Sequence, residues 1–168
     1  MQITYLDGPR LKRALIAGSR RVYKYREQLN TINVFPVADS DTGTNMAGTM
    51  QALVAGIAGG RERNLTVVSK TAADAALTGA QGNSGTILSQ FFYGIAEGIE
   101  GKSRVTADAF SRIVRRAVDS TYNALAEPVE GTILTVLRVW ADTIEEGSRK
   151  TGDFAALFSD SLEKAKEA

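Results

Sequence analysis

Apolar residues recur every three or four positions along most of this chain, a period that predicts helices. Leu11, Leu15, Gly18, Val22, Arg26 and Leu29 follow that step from about residue 9 to 30, with Gly18 and Arg26 interrupting the apolar stripe. Met46, Met50, Leu53 and Ile57 mark a second helix, which Gly59 and Gly60 stop. Residues 66–78 make a third, rich in Ala. Ser84 is placed to cap a fourth that carries Ile87, Leu88, Phe91, Ile95 and Ile99. Thr106 is placed to cap a fifth, with Phe110, Ile113, Val114, Ala117 and Val118 facing inward and Asp108 complementing the helix dipole. Pro128 ends the stretch 123–127. Ile133, Val136, Leu137, Trp140 and Ile144 then describe a sixth helix, and Phe154, Leu157, Phe158 and Leu162 a seventh.

Residues 133–140 are rich in β-branched side chains, but the three-four spacing runs over twelve residues and strict alternation does not, so helix is the reading. No paired alternating runs joined by hairpin turns occur elsewhere. The pattern therefore predicts an all-α fold of antiparallel neighbours joined by short loops, in one domain over residues 1–168.

Composition narrows the chemistry. Twenty basic against nineteen acidic residues give a formal charge of +1, and they are scattered, so neither nucleic acid nor an anionic membrane is called for. There is no Cys, which excludes a disulfide framework and thiolate metal sites and suits a reducing cytoplasm. There is no His either, so catalysis must rest on carboxylates, hydroxyls, amides, backbone groups or a hard, oxygen-bound cation. The apolar stretches fall short of a membrane span and the N-terminus lacks a signal-peptide pattern; a cytoplasmic protein is expected.

Three loops carry candidate chemistry. The first runs Asn33-Val34-Phe35-Pro36-Val37-Ala38-Asp39-Ser40-Asp41-Thr42-Gly43-Thr44-Asn45-Met46, between the first two helices. Two carboxylates two residues apart in an extended loop can reach one or two hard cations. Thr42, Gly43, Thr44 and Asn45 then enter a helix whose free N–H groups favour anions. An Asp-Ser-Asp capping loop, with the acids satisfying backbone donors, explains the same residues about as well. An EF-hand starting at Asp39 fails, because its sixth and twelfth places are Thr44 and Met50. A haloacid-dehalogenase-like strand is disfavoured by Pro36 and by the missing parallel α/β pattern.

The second loop is Gly79-Ala80-Gln81-Gly82-Asn83-Ser84-Gly85, whose three glycines allow close backbone approach to a ligand; a Gly-rich turn with a Ser cap is the alternative. No Gly-x-x-x-x-Gly-Lys-Ser/Thr run exists, which excludes a P-loop. The third loop, Pro128-Val129-Glu130-Gly131-Thr132-Ile133-Leu134, is another Gly-containing helix entry, equally explained as helix punctuation.

Taken together in order and spacing, these three motifs resemble the ATP-binding N-terminal domain of bacterial fatty acid kinases, within the dihydroxyacetone kinase L-subunit (DhaL-like) family. The resemblance covers nearly the whole chain. It implies an antiparallel barrel of seven to eight helices whose loops at one end hold ATP or ADP through two Mg²⁺ ions. By motif position it implies that Asp39 and Asp41 are the metal-binding and catalytic acids, with Asn33 near the place of a third family acid. Thr42, Thr44 and Asn45 would lie at the phosphates; Asn83, Ser84 and Gly85 would cradle them; Gly131, Thr132 and Leu134 would border the adenine.

The resemblance further implies an ATP-dependent kinase that is inactive without an acyl-binding or substrate-carrying partner protein or domain, with a homodimer also compatible. A fatty acid is the leading acceptor. A dihydroxyacetone kinase subunit and a non-catalytic, regulatory nucleotide-binding module are the alternatives. Two departures from the family pattern stand out. Ser40 replaces a usual Gly, which is harmless at negative φ and costly at positive φ. The chain also ends at Ala168, before the final helix and Asp-containing loop expected to close the nucleotide site.

Overall fold

The computed structural model describes residues 2–34 and 38–167. Phe35, Pro36 and Val37, the apolar entry to the first motif, lie outside the described residues, as does Ala168. Among the described residues the chain forms eight helices and one two-stranded ladder. In order these are β1 (Leu6–Asp7), α1 (Gly8–Lys24), α2 (Arg26–Thr31), α3 (Thr42–Ala58), α4 (Leu65–Thr78), α5 (Gly82–Ile99), β2 (Arg104–Val105), α6 (Ala107–Asn123), α7 (Ile133–Ser148) and α8 (Phe154–Ala165). The all-α expectation holds. The ladder, in which Leu6 faces Val105 and Asp7 faces Arg104, is too short for a period to reveal.

Successive helices from α3 to α7 fold back on one another. Gly56 of α3 lies against Ala75 of α4, Thr66 of α4 donates to the Ile99 carbonyl of α5, and Gly98 and Gly94 of α5 meet Ile113 and Ala117 of α6. Arg115 of α6 pairs with Asp142 and Glu145 of α7. This antiparallel alternation brings the amino ends of α3, α5 and α7 to one end of the bundle.

Leu53, Leu65, Ile99, Val114 and Ile144 are fully buried between the helices, and each contributes on the order of 1.5–3 kcal/mol by leaving water. Phe91, Phe110, Trp140, Phe154 and Phe158 form an edge-to-face aromatic cluster where α5 to α8 meet. An apolar crevice of about 250 Å³, lined by Leu11, Leu15, Gly18, Phe92 and Trp140 among others, enters the bundle beside α1. None of the described helices is long and apolar enough to cross a membrane.

Four local expectations are corrected. The first helix breaks at Tyr25 (φ −100°, ψ 11°), because α2 turns to seat its start on α3, where the Arg26 carbonyl occupies the space beside Gly43. The fourth predicted helix, α5, starts at Gly82 with Gln81 as its N-cap, so Ser84 lies inside the first turn rather than capping it. On α7, Leu134 turns inward (1% exposed) and Val136 outward (40%), because apolar residues on both faces blur the phase of the period. On α8, Leu162 is exposed and Ser161 takes the buried position. Thr106, by contrast, caps α6 through the Ala109 N–H as expected.

Candidate functional site

The amino end of α3 is capped by side chains from the preceding segment. Asn33 Oδ1 accepts from the Thr42 N–H at 3.2 Å and also from the Thr42 hydroxyl. Asn30 makes a two-point contact with Thr44: its Oδ1 accepts from the Thr44 N–H and its Nδ2 donates to Thr44 Oγ1, both at 3.0 Å. α2 brings Asn30 there by packing across the start of α3. Each such cap is worth about 1 kcal/mol.

With the caps supplied by asparagines, the two acids do no capping. Asp41 occupies the N-cap position without a side-chain hydrogen bond. Neither carboxylate, of Asp39 or of Asp41, has a hydrogen-bond or ion-pair partner among the described residues. Between them Ser40 sits at φ +54°, the only non-glycine in the left-handed region among the described residues. The turn thus holds two carboxylates two residues apart, Asp39 exposed and Asp41 partly buried, and costs strain to do so.

The amino end of α5 packs directly on this structure. Ser84 Oγ lies 3.3 Å from Thr42 Oγ1. Thr49 of α3 donates to the Asn45 carbonyl at 2.8 Å and accepts from the Gln81 N–H at 3.2 Å, which ties the second loop to α3. Gly82 is required twice over: its φ is +55°, and a Cβ there would collide with the Asn45 amide. A Cβ at Gly85 would likewise collide with the Thr49 hydroxyl. α1, α4, α6, α7 and α8 all have a side-chain N-cap, from Asp7, Asn64, Thr106, Thr132 and Asp153. α5 has none, and the N–H groups of Gly82, Asn83 and Ser84 find no acceptor among the described residues.

The third loop lies at the same end of the bundle, and no hydrogen bond among the described residues joins it to the other two. It is fastened to its own helices. The Glu130 carboxylate accepts from Tyr122 Oη of α6 at 2.8 Å, from Arg138 Nη2 of α7 at 3.2 Å, and from the Thr135 hydroxyl. The Thr135 hydroxyl in turn accepts from the Gly131 N–H at 2.8 Å. The donors from Thr135, then Arg138 and Tyr122, hold the Glu130 carboxyl at about 2, well below the ordinary 4.5. Burial, with the Glu130 bond, pushes the Tyr122 hydroxyl up. Thr132 caps α7, and the Leu134 side chain beneath it is buried.

Of the residues singled out from sequence, Asn33, Asp39, Asp41, Thr42, Thr44, Asn45, Ser84 and Gly85 come together at the α3 and α5 amino ends, with Asn83 exposed beside them. Gly131 and Thr132 stand apart on the α6–α7 loop, and Leu134 lies in the first turn of α7. Sequence reasoning missed Asn30, Thr49, Gln81, Tyr122, Thr135 and Arg138. Asn30 carried a faint signal, an amide three residues before Asn33 on the approach to the same helix. A cleft of about 330 Å³ lies elsewhere, on α6 and α7 around Asp108, Arg112, Arg115 and Arg149.

The donor set suits a hard cation that brings its own ligands. Among the described residues no cluster of three or more acids, His or Cys occurs. Two carboxylates leave the rest of a coordination shell to water and phosphate oxygens, which is how Mg²⁺ is ordinarily held.

The family model of the DAK2 domain matches residues 36–168. An uncharacterized protein of Staphylococcus saprophyticus is 35% identical over 163 residues, covering 97% of this chain and 30% of that protein. An uncharacterized protein of Staphylococcus aureus strain USA300 is 34% identical over 166 residues, covering 99% of this chain and 30% of its own length. The chain thus spans about 30% of the length of these relatives.

Proposed function

The chain belongs to the DAK2-domain family, and from that premise we propose that it is the ATP- and Mg²⁺-binding module of a kinase that phosphorylates an acceptor held by a partner protein or domain. The observation that carries this reading is the union of two features at one place. Two carboxylates without partners among the described residues, Asp39 exposed and Asp41 partly buried, adjoin a helix amino end, that of α5, whose first N–H groups find no acceptor among those residues. The first can hold cations and the second can receive phosphate oxygens.

In this reading Asp39 and Asp41 hold the metal, and the N–H groups of Asn83 and Ser84 with the Thr42 and Ser84 hydroxyls orient the phosphates. Bound Mg²⁺ supplies charge neutralisation at the phosphates. Thr44, whose N–H and hydroxyl are engaged by Asn30, keeps the start of α3 in place beneath Asn45. The α6–α7 loop, with Gly131 and Thr132, borders the base. Phosphoryl transfer depends chiefly on positioning and charge stabilisation, so the lack of His and Cys is no obstacle. The acceptor we favour is a fatty acid on an acyl-binding partner, because all three motifs resemble the fatty acid kinase pattern; the products would be an acyl phosphate and ADP.

The test is calorimetry with ADP and ATP, with Mg²⁺ and with EDTA, followed by ADP release in the presence of an acyl-loaded partner. Binding that needs Mg²⁺, and turnover that needs the partner, support the reading. Equal nucleotide affinity in EDTA would overturn the metal bridge. Mg²⁺-dependent binding without acceptor-dependent ADP release would leave a regulatory module.

A further inference from the structure

We infer that Glu130 is a positioning residue, which locks the α6–α7 loop against both helices it joins so that Gly131 and Thr132 stand ready for the nucleotide; this rests on the nucleotide-site reading above. The loop, residues 124–132, has no regular structure of its own. Nine such residues would ordinarily lose substantial conformational entropy on meeting a ligand. Glu130 removes much of that freedom beforehand. It collects a donor from the last turn of α6, Tyr122, and two from the first turns of α7, Thr135 and Arg138.

Helix capping does not explain this arrangement. Thr132 already caps α7 through the Leu134 N–H, and its hydroxyl donates to the Val129 carbonyl at 2.7 Å. Glu130 is half exposed, so it fills no core position either. What its contacts do is close a chain through Thr135 back to Gly131, whose φ of +78° turns the backbone at that point. The Gly131 N–H is consumed in this closure. The Thr132 and Ile133 N–H groups find no acceptor among the described residues and are held in one orientation at the helix entry. Arg138 on α7 is the cation beside Glu130 and the Tyr122 hydroxyl on α6 is a neutral donor, so the carboxylate is the one negative member of the network.

The experiment compares this chain with Glu130→Gln, Glu130→Asp, Tyr122→Phe and Arg138→Gln, measuring Mg·ADP affinity by calorimetry and hydrogen exchange by segment. Glu130→Gln keeps the shape and removes the charge. We expect its affinity to fall about tenfold, the scale of one charge-assisted bond. Exchange over residues 124–132 should quicken while that of the α3 amino end stays as before. Glu130→Asp, which restores the charge, should recover part of the affinity. Tyr122→Phe and Arg138→Gln should each give a smaller loss, and neither should add to the loss in Glu130→Gln. They also provide the answer should Glu130→Gln fail to fold. If the unsubstituted chain binds no Mg·ADP, the site reading itself falls. If it binds, and Glu130→Gln binds equally well with unchanged exchange in the loop, the positioning role alone is overturned.

Discussion

The hydroxyls of Thr42 and Ser84 stand 3.3 Å apart although 42 residues separate them in the chain. Each sits in the first turn of its own helix, α3 or α5, and neither helix needs the other for its local hydrogen bonds. The contact therefore registers two helix entries against each other, at the point where the proposed phosphate site begins. Ser84→Ala and Thr42→Val should each lower Mg·ADP affinity about three- to tenfold, the range for a neutral hydrogen bond of 0.5–1.5 kcal/mol. The double variant should lose less than the sum, since both touch one network. Calorimetry on the four proteins checks this; full additivity would mean that the two hydroxyls act independently.

Ser40 tests the strain in the acidic turn. A residue with a Cβ in the left-handed region costs roughly 1–2 kcal/mol, against 0.5–1 kcal/mol of extra unfolded-state freedom for glycine. At φ +54° the first term is the larger, so Ser40→Gly should raise the melting temperature slightly and Ser40→Val should lower it. A Ser40→Val protein as stable as the parent would show that the turn relaxes to negative φ.

Gly18 offers a separate check on the helix packing. It lies within α1, and a Cβ added there meets nothing within 4 Å. It also faces the apolar crevice beside Leu11 and Leu15. Gly18→Ala should then stabilise the chain by about 0.5–1 kcal/mol, through helix propensity alone. Denaturant unfolding at equilibrium measures it, and a loss of stability would mean that something else occupies that space.

The long helices were legible because each repeats an apolar residue at three-four spacing over three or more turns, as in Phe110, Ile113, Val114, Ala117 and Val118. What escaped was tertiary. Nothing local marks the break at Tyr25, where neither Gly nor Pro occurs; it exists because Arg26 must lie against Gly43. The phase of α7 was ambiguous because Ile133, Leu134, Val136 and Leu137 put apolar groups on both sides. For the site, the acids and glycines announced themselves, but the residues that free or hold them did not. Asn33 was singled out as the place of a third acid, not as the cap that with Asn30 releases Asp39 and Asp41, and Tyr122 and Arg138 reach Glu130 from two different helices. Such cross-helix bonds leave no period and no motif in the chain.

Glu130 carries a pH signature with a definite sign. Its carboxyl is held near 2 in the folded protein against an ordinary 4.5, chiefly by the Thr135 hydroxyl and then by Arg138 and Tyr122. A depressed folded value means that the ionised form stabilises the fold above about pH 4.5, and that this contribution disappears as pH falls through 2. Carbon-detected NMR of the Glu130 side chain should give a midpoint well below those of the other glutamates. In Arg138→Gln it should move upward, and a midpoint near 4.5 in the parent chain would mean that the network does not persist in solution.

Asp39 and Asp41 provide the sharpest separation of fold from function. Both carboxylates are without partners among the described residues, and the caps of α3 come from Asn30 and Asn33. Removing either charge therefore breaks no hydrogen bond or ion pair among the described residues. Asp39→Asn and Asp41→Asn should leave unfolding free energy within about 0.5 kcal/mol of the parent, as for surface positions outside special features. Relief of the repulsion between two nearby carboxylates would even raise it. Nucleotide binding should respond in the opposite way. If the two acids hold the cation that bridges to the phosphates, each substitution removes a charged contact worth about 1.5–3 kcal/mol, and Mg²⁺-dependent affinity for ADP falls tenfold or more. In EDTA, by contrast, either variant should bind ADP as well as the parent or better, because a carboxylate facing phosphates without a cation is repulsive. Paired melts and titrations, with and without Mg²⁺, give both quantities on the same samples. Stability lost in both variants with affinity preserved would place the acids in the fold and take the metal bridge out of the mechanism.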